Sequence, residues 1–120
     1  MIDISKQITP SVYACSGCSD VAQIANEVAL RLFREDRAGM SCIAGVGGNV
    51  PALVKAAKSG RKVITLDGCP MHCMKGCLEQ HGVEPELHVT FSDFGFRKRK
   101  GAEFDERRRI GHLGLLRRKW

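Results

Sequence analysis

Apolar residues along the chain follow two alternating spacings, that of strands and that of helices. Between residues 21 and 36 they recur at intervals of three and four, with Ser19 or Asp20 placed to cap the start, which predicts an amphipathic helix. Short apolar runs bounded by turn-forming residues predict strands. The predicted strands cover residues 11–14, 40–44, 62–66 and 87–91, and two further helices are predicted, one capped by Asn49 with Pro51 in its first turn and one that follows residues 67–70 and ends near Gln80.

Strands that alternate with helices across short loops form right-handed βαβ units and a mostly parallel sheet. The pattern therefore predicts a small three-layer α/β domain with the order βαβαβαβ and a sheet of about four strands, Rossmann-like or flavodoxin-like. In such a sheet the loops that follow the strands emerge at one edge, where open α/β folds bind their ligands. Residues far apart in the sequence are expected to meet at that edge.

Charge divides the 120-residue chain into two unequal parts. Residues 1–96 contain 9 Lys or Arg and 10 Asp or Glu. Residues 97–120 contain 10 Lys or Arg but only 3 Asp or Glu. We expect residues 1–96 to form the α/β domain and residues 97–120 to form a basic C-terminal tail, which could include an amphipathic helix. We expect the tail to be solvated. Binding of nucleic acid or of an acidic partner by the tail is the less favoured alternative.

The composition is that of a globular chain without a membrane span. Hydrophobic residues make up 43% of the chain, and nowhere do eighteen apolar residues run together. The N-terminal residues lack the basic flank and apolar run of a secretion signal, so we expect a cytoplasmic protein with reduced thiols. In that setting the 6 cysteines, which stand in tight groups, favour metal binding or redox chemistry over disulfides.

Four of the cysteines follow the first and third predicted strands. Cys15 and Cys18 form a Cys-x-x-Cys pair, and Cys69 and Cys73, at helical spacing, are close enough to close on one ion. Two of these groups sit where a helix is expected to begin, and unpaired backbone N–H groups there favour the thiolate form. Together the four thiols would complete a closed tetrahedral zinc site.

The remaining two cysteines are secondary candidates for ligands. Cys77 lies about 12 Å along the predicted third helix from Cys69, too far to share one tetrahedral centre with it. Cys42 lies within or near the end of the predicted second strand, and its side-chain direction depends on a register that the pattern leaves open. The glycines of residues 45–48 lack a nucleotide-binding pattern, and we expect them to let the backbone approach the thiol cluster or to form an anion-binding nest.

Other polar residues beside the cysteines are assigned lesser roles. Asp67 could orient a ligand or accept a hydrogen bond at the turn, with catalysis the less favoured role. His72 is expected to point away from Cys73, and His88 is expected to be exposed or structural.

Several motifs resemble those of the DGC-domain family of zinc-binding proteins. They are Cys-Ser-Gly-Cys-Ser-Asp at residues 15–20, Met-Ser-Cys-Ile-Ala-Gly-Val-Gly-Gly at 40–48, Asp-Gly-Cys-Pro-Met-His-Cys at 67–73 and Phe-Ser-Asp-Phe-Gly-Phe at 91–96. The family takes its name from the motif that stands here at residues 67–69, and the resemblance runs in order from about Val12 to Lys98. It implies a small bacterial or archaeal metal-binding protein.

The sequence thus favours a cysteine-ligated metal-binding protein, with zinc as the ion and without catalysis of its own. The alternative is a thiol redox or iron–sulfur protein in which the same sulfurs carry electrons.

Overall fold

A four-stranded, wholly parallel sheet forms the centre of the molecule. The structure, a computed structural model, describes residues 9–68, 71–94 and 101. The strands are β1 (Ser11–Ala14), β2 (Gly39–Met40), β3 (Val63–Asp67) and β4 (Leu87–Thr90). The helices are α1 (Asp20–Arg34), α2 (Ile43–Gly47), α3 (Pro51–Ala57) and α4 (Cys73–Glu79), and a 3₁₀ helix covers Phe91–Phe94.

The strands lie in the order β2-β1-β3-β4, so the chain begins at an inner strand, moves outward to β2 and then crosses to the other side. β1 pairs with β3 from Ser11 opposite Val63 to Ala14 opposite Leu66. All residues of β3 are buried, which is typical of an inner parallel strand covered on both faces. The predicted three-layer α/β fold is confirmed.

Helix α1 forms where the apolar spacing predicts it. The side chain of Ser19 accepts a hydrogen bond from the backbone N–H of Ala22 and caps the first turn. The buried face carries Ile24, Val28 and Leu32, all with no exposed surface, and it packs against the inner strands. Full burial of a side chain of this size contributes about 1.5–3 kcal/mol, so this face fixes the helix on the sheet.

Tyr13 and Phe91 are the largest fully buried side chains of the core. Burial raises the pKa of the Tyr13 hydroxyl above its ordinary value, whereas its hydrogen bond with Ser41 and the positive charge of Arg61 act in the opposite direction. The neutral hydroxyl therefore belongs to the core next to the loop that follows β2.

The segment predicted as the second strand is divided between the end of a short strand, a loop and the start of a helix. Only Gly39 and Met40 pair with β1, and helix α2 begins at Ile43, so Cys42 occupies the N-cap position rather than a strand. A short apolar run fits a strand and a buried helix equally, which explains the error. The next helix has Val50 rather than Asn49 at its N-cap, with Pro51 in its first turn as predicted.

The third predicted helix begins later than expected. His72 adopts a left-handed conformation with φ 52°, and α4 starts at the following residue, Cys73. A left-handed residue cannot continue a right-handed helix, so no continuous helix runs through His72 into Cys73. The predicted separation of Cys77 from Cys69 rested on such a continuous helix. Cys69 itself lies outside the described residues.

The inner strands β1 and β3 are where the direction of winding reverses. In open α/β sheets, ligands bind beyond the carboxyl ends of the strands at this point. The loop of residues 15–19 follows β1, and the loop that begins at Gly68 follows β3. Within the described part of the chain, no helix is long and apolar enough to cross a membrane.

Candidate functional site

Cys15 lies at the carboxyl end of β1, in the floor of the site. Its backbone N–H still follows the sheet and donates to the carbonyl of Leu66 at 3.0 Å. Its side chain is buried, and the backbone N–H of Gly68 donates to Sγ at 3.1 Å. An N–H directed at sulfur stabilises negative charge there, so this position suits a thiolate.

Gly68 brings the loop after β3 against the start of α1. A Cβ atom at this position would lie 2.7 Å from the backbone nitrogen of Ala22 and 2.7 Å from the carbonyl carbon of Val21. Such distances are far below van der Waals contact, so only glycine fits. The close approach of this turn to the backbone of α1 explains why it holds a glycine.

Asp67 ends β3 and is almost fully buried, with 1% of its surface exposed. Its Oδ1 accepts the backbone N–H of Met74 at 3.0 Å, and its Oδ2 accepts the backbone N–H of Lys75 at 3.3 Å. Nε2 of His88 lies 2.9 Å from Oδ2 and donates to it, since a carboxylate can only accept. Three N–H groups thus compensate one buried carboxylate.

His72 completes this polar network on the side of β4. Its Nε2 lies 3.1 Å from Oγ1 of Thr90, and its ring meets the ring of His88 edge to face with centroids 4.8 Å apart. His88 is itself a residue of β4, and His72 contacts that strand through Thr90 and His88. His88 is held by a carboxylate rather than left exposed, and its partner Asp67 accepts hydrogen bonds at the turn, as predicted.

Two adjacent cavities open at this edge, each of about 170 Å³. Cys15 and Cys73 line both of them. Cys18 lines the first cavity and Cys77 the second. The first cavity is also bordered by Asp67, His72 and the exposed side chain of Met71.

Cys18 and Cys73 are exposed at the rim of the first cavity. The backbone carbonyl of Cys18 accepts hydrogen bonds from the backbone N–H of Gly101, at 2.9 Å, and from Nε2 of Gln23, at 3.2 Å. Gly101 is the described residue of the basic tail, so the tail contacts the Cys15–Cys18 loop at this point.

Cys77 lies against the glycine-rich helix α2. A Cβ atom at Gly47 would lie 3.1 Å from Sγ of Cys77, tighter than ordinary contact. At Gly47 the backbone thus approaches a thiol, but the thiol is that of Cys77 and not of one of the four predicted ligands. Cys42 is exposed at the start of α2 and is not among the residues that line the two cavities.

Three of the four proposed ligands, Cys15, Cys18 and Cys73, therefore line one cavity, and Cys69 lies outside the described residues. Among residues 9–68, 71–94 and 101, no three His, Cys, Asp or Glu side chains are grouped closely enough to hold an ion. The donor chemistry nevertheless fits zinc, because the cavity offers thiols and its floor directs an N–H at one sulfur.

His88 and Thr90 are the residues of the site that the sequence analysis did not assign to it. The signal was present: the two residues stand two apart in a strand, so they share one face of β4. The parallel register places Thr90 opposite Asp67. Two polar residues on one face at the carboxyl end of a strand indicate a polar network at that edge.

Comparison with known proteins places this site in a family. Residues 11–112 match the DGC domain. The chain belongs to the DGC-domain family. The match of this DGC-domain protein extends past Lys98, where the resemblance was expected to end, and so includes the first part of the basic tail.

The DGC-domain protein is similar to the anaerobic and virulence modulator AnvM of Pseudomonas aeruginosa. The two are 63% identical over 94 residues, which cover 78% of this chain and 72% of AnvM. No solved structure matches this chain significantly.

Proposed function

We propose that this DGC-domain protein binds a zinc ion through Cys15, Cys18, Cys69 and Cys73. The observation that supports the proposal best is the cavity at the carboxyl ends of β1 and β3, which three of these cysteines line. This is the place where open α/β folds bind ligands. The four thiolates would form a closed tetrahedral set, so the ion would be structural or held for handling, without catalysis of its own.

Binding of the ion requires the rim of the cavity to close. Cys18 and Cys73 are exposed, whereas Cys15 is buried in the floor. Cys18 stands in the loop after β1, and a loop rearranges at lower cost than a strand, so closure would bring Cys18 toward Cys15 and Cys73. Since the ligands must be deprotonated, affinity should rise with pH as the thiols ionise. The proposed chemistry needs reduced thiols, so we place the protein in the cytoplasm.

The second candidate is a thiol redox or iron–sulfur protein. It is favoured by the sharing of Cys15 and Cys73 between two cavities, which brings Cys77 to the same edge as a further sulfur. The name of AnvM describes an anaerobic and virulence modulator, and a similar role for this chain would suit a site that responds to oxygen.

Elemental analysis of protein purified anaerobically without added metal tests both candidates. The zinc proposal predicts about one zinc per chain and no visible absorption, because zinc thiolates are colourless. Stoichiometric iron with visible absorption would replace it with the iron–sulfur candidate. If the protein holds neither metal but forms a reversible disulfide, only the thiol redox candidate remains.

A further inference from the structure

We propose that Asp67, held by His88, acts as a positioning residue that fixes Cys73 for metal binding and is not itself a ligand. The inference rests on the proposed zinc site, which it deepens. Asp67 is buried, and both of its carboxylate oxygens are already engaged by N–H groups of the chain. A carboxylate used in this way has little capacity left for an ion.

The carboxylate acts on the segment that begins with Cys73. Its two backbone partners, Met74 and Lys75, are the residues immediately after that cysteine, so the hydrogen bonds hold the first turn of α4 to the end of β3. The first N–H groups of a helix have no partner within the helix, and Asp67 supplies one. The direction in which Cys73 leaves the backbone is thereby tied to the sheet.

The residue before Cys73 is fixed from the other side. His72 has a left-handed backbone, a conformation that costs a non-glycine residue free energy and persists only where its surroundings enforce it. Here its side chain is hydrogen-bonded to Thr90 and packed against the ring of His88. His88 in turn donates a hydrogen bond to Asp67. Cys73 therefore lies between two anchored neighbours.

The arrangement resembles the way outer partners orient metal ligands in known sites. Loss of such a partner usually weakens metal affinity about 10- to 100-fold while the ligand itself remains. The difference here is that the partner orients the ligand through the backbone of the helix rather than through the ligating side chain. Variants that lose Asp67 or His88 should therefore change both the zinc affinity and the amide exchange at the start of α4.

The test uses the full chain and two readouts. Zinc affinity is measured by competition with a chromogenic chelator, and amide hydrogen exchange of Met74 and Lys75 is measured in metal-free protein. Asp67→Ala and His88→Ala should weaken zinc binding about 10- to 100-fold and accelerate exchange at these two amides. His88→Gln, which keeps an N–H donor near the same place, should restore both readouts to near the wild-type values.

Thr65→Val is the matched control. Thr65 is fully buried two residues earlier in β3, and its hydroxyl contacts the carbonyl of Leu87 rather than α4. Its loss should lower stability without changing zinc affinity or the exchange of Met74 and Lys75. Equal loss of zinc affinity in Thr65→Val would assign the effect to stability alone and overturn the proposal.

The remaining outcomes separate the two proposals. If the wild-type chain binds no zinc, the proposed zinc site is wrong. The positioning role of Asp67 is then judged only by amide hydrogen exchange at Met74 and Lys75. Unchanged exchange at Met74 and Lys75 in Asp67→Ala overturns the positioning role whether or not zinc binds. Faster exchange with unchanged zinc affinity overturns its link to metal binding.

Discussion

Gly68 is the residue on which the geometry of the site depends most directly. Its backbone N–H contacts the sulfur of Cys15, and its Cα lies against the first turn of α1. Its carbonyl accepts the backbone N–H of Ser92, at 3.0 Å, which links the same turn to the 3₁₀ helix. One residue without a side chain thus joins three segments around the thiol in the floor.

Gly68→Ala should destabilise the protein by about 3 kcal/mol, because the new methyl group would meet backbone atoms that cannot move aside without displacing α1. Gly76→Ala is the control, since nothing lies within 4 Å of a Cβ atom at that helical position. It should stabilise the protein by about 0.5–1 kcal/mol. Urea unfolding of both variants measures the difference, and equal stabilities would contradict the close approach at Gly68.

The residues of the site differ in how far the sequence reveals them. The grouping of Cys15 and Cys18 beyond a strand could be predicted, because the strand, the turn formers and the helix cap all lie within one short segment. The bond between Asp67 and His88 could not, because it depends on the pairing of β3 with β4. Register between strands is decided by packing across the whole sheet.

At the level of elements, the packing of α2 on α4 defines the second cavity. Gly47 ends α2 and leaves room for the sulfur of Cys77, the fifth residue of α4. Nε2 of Gln80 also donates to the carbonyl of Gly47, at 3.3 Å, and Nε2 of His81 lies 2.9 Å from the carbonyl of Val46. The end of α4 is therefore bound to α2 by polar contacts as well as by close packing.

Gly47→Ala should destabilise the protein by about 1 kcal/mol, because its methyl group would crowd Sγ of Cys77. Removing that sulfur should relieve the crowding. In the double variant Gly47→Ala with Cys77→Ala, we expect the free energy of unfolding to exceed the additive value by about 0.5–1 kcal/mol. A double-mutant cycle measures this coupling, and strictly additive effects would show that the two residues do not touch.

The elements that the sequence failed to predict share a physical cause. The run from Met40 to Ala44 is short and mostly apolar, so its local pattern fits a strand as well as a helix. Contact of α2 with α4 favours the helix from Ile43 onward. The late start of α4 depends on His72, whose left-handed backbone is held by side chains from β4. In both places, contacts distant in sequence override local preference.

At the level of the whole molecule, the sheet order brings the ends of β1 and β3 together, and Gly101 of the basic tail lies at the same edge. The N–H of Gly101 donates to the carbonyl of Cys18, although more than eighty residues separate them. The α/β fold and the convergence of the loops could be predicted from the alternation of elements. The contact of the tail with the site could not, since charge composition carries no information about where a segment docks.

Truncation of the chain after Phe96 should make Cys18 more reactive toward iodoacetamide, because the loop loses its hydrogen bond to Gly101. Cys42, exposed on a different loop, should keep its rate. Alkylation followed site by site by mass spectrometry measures both. Equal acceleration of the two thiols would indicate general destabilisation instead of a local contact.

The most direct test of the account is the zinc content of six single variants, in which each cysteine in turn is replaced by alanine. Loss of one of four ligands removes a quarter of the donor set, so Cys15→Ala, Cys18→Ala, Cys69→Ala and Cys73→Ala should each retain little zinc. Cys42→Ala and Cys77→Ala should retain about one zinc per chain. Loss of zinc in either of these two variants, with retention in Cys18→Ala, would contradict the proposed ligand set, and if the variant is Cys77→Ala it would place the ion at the second cavity.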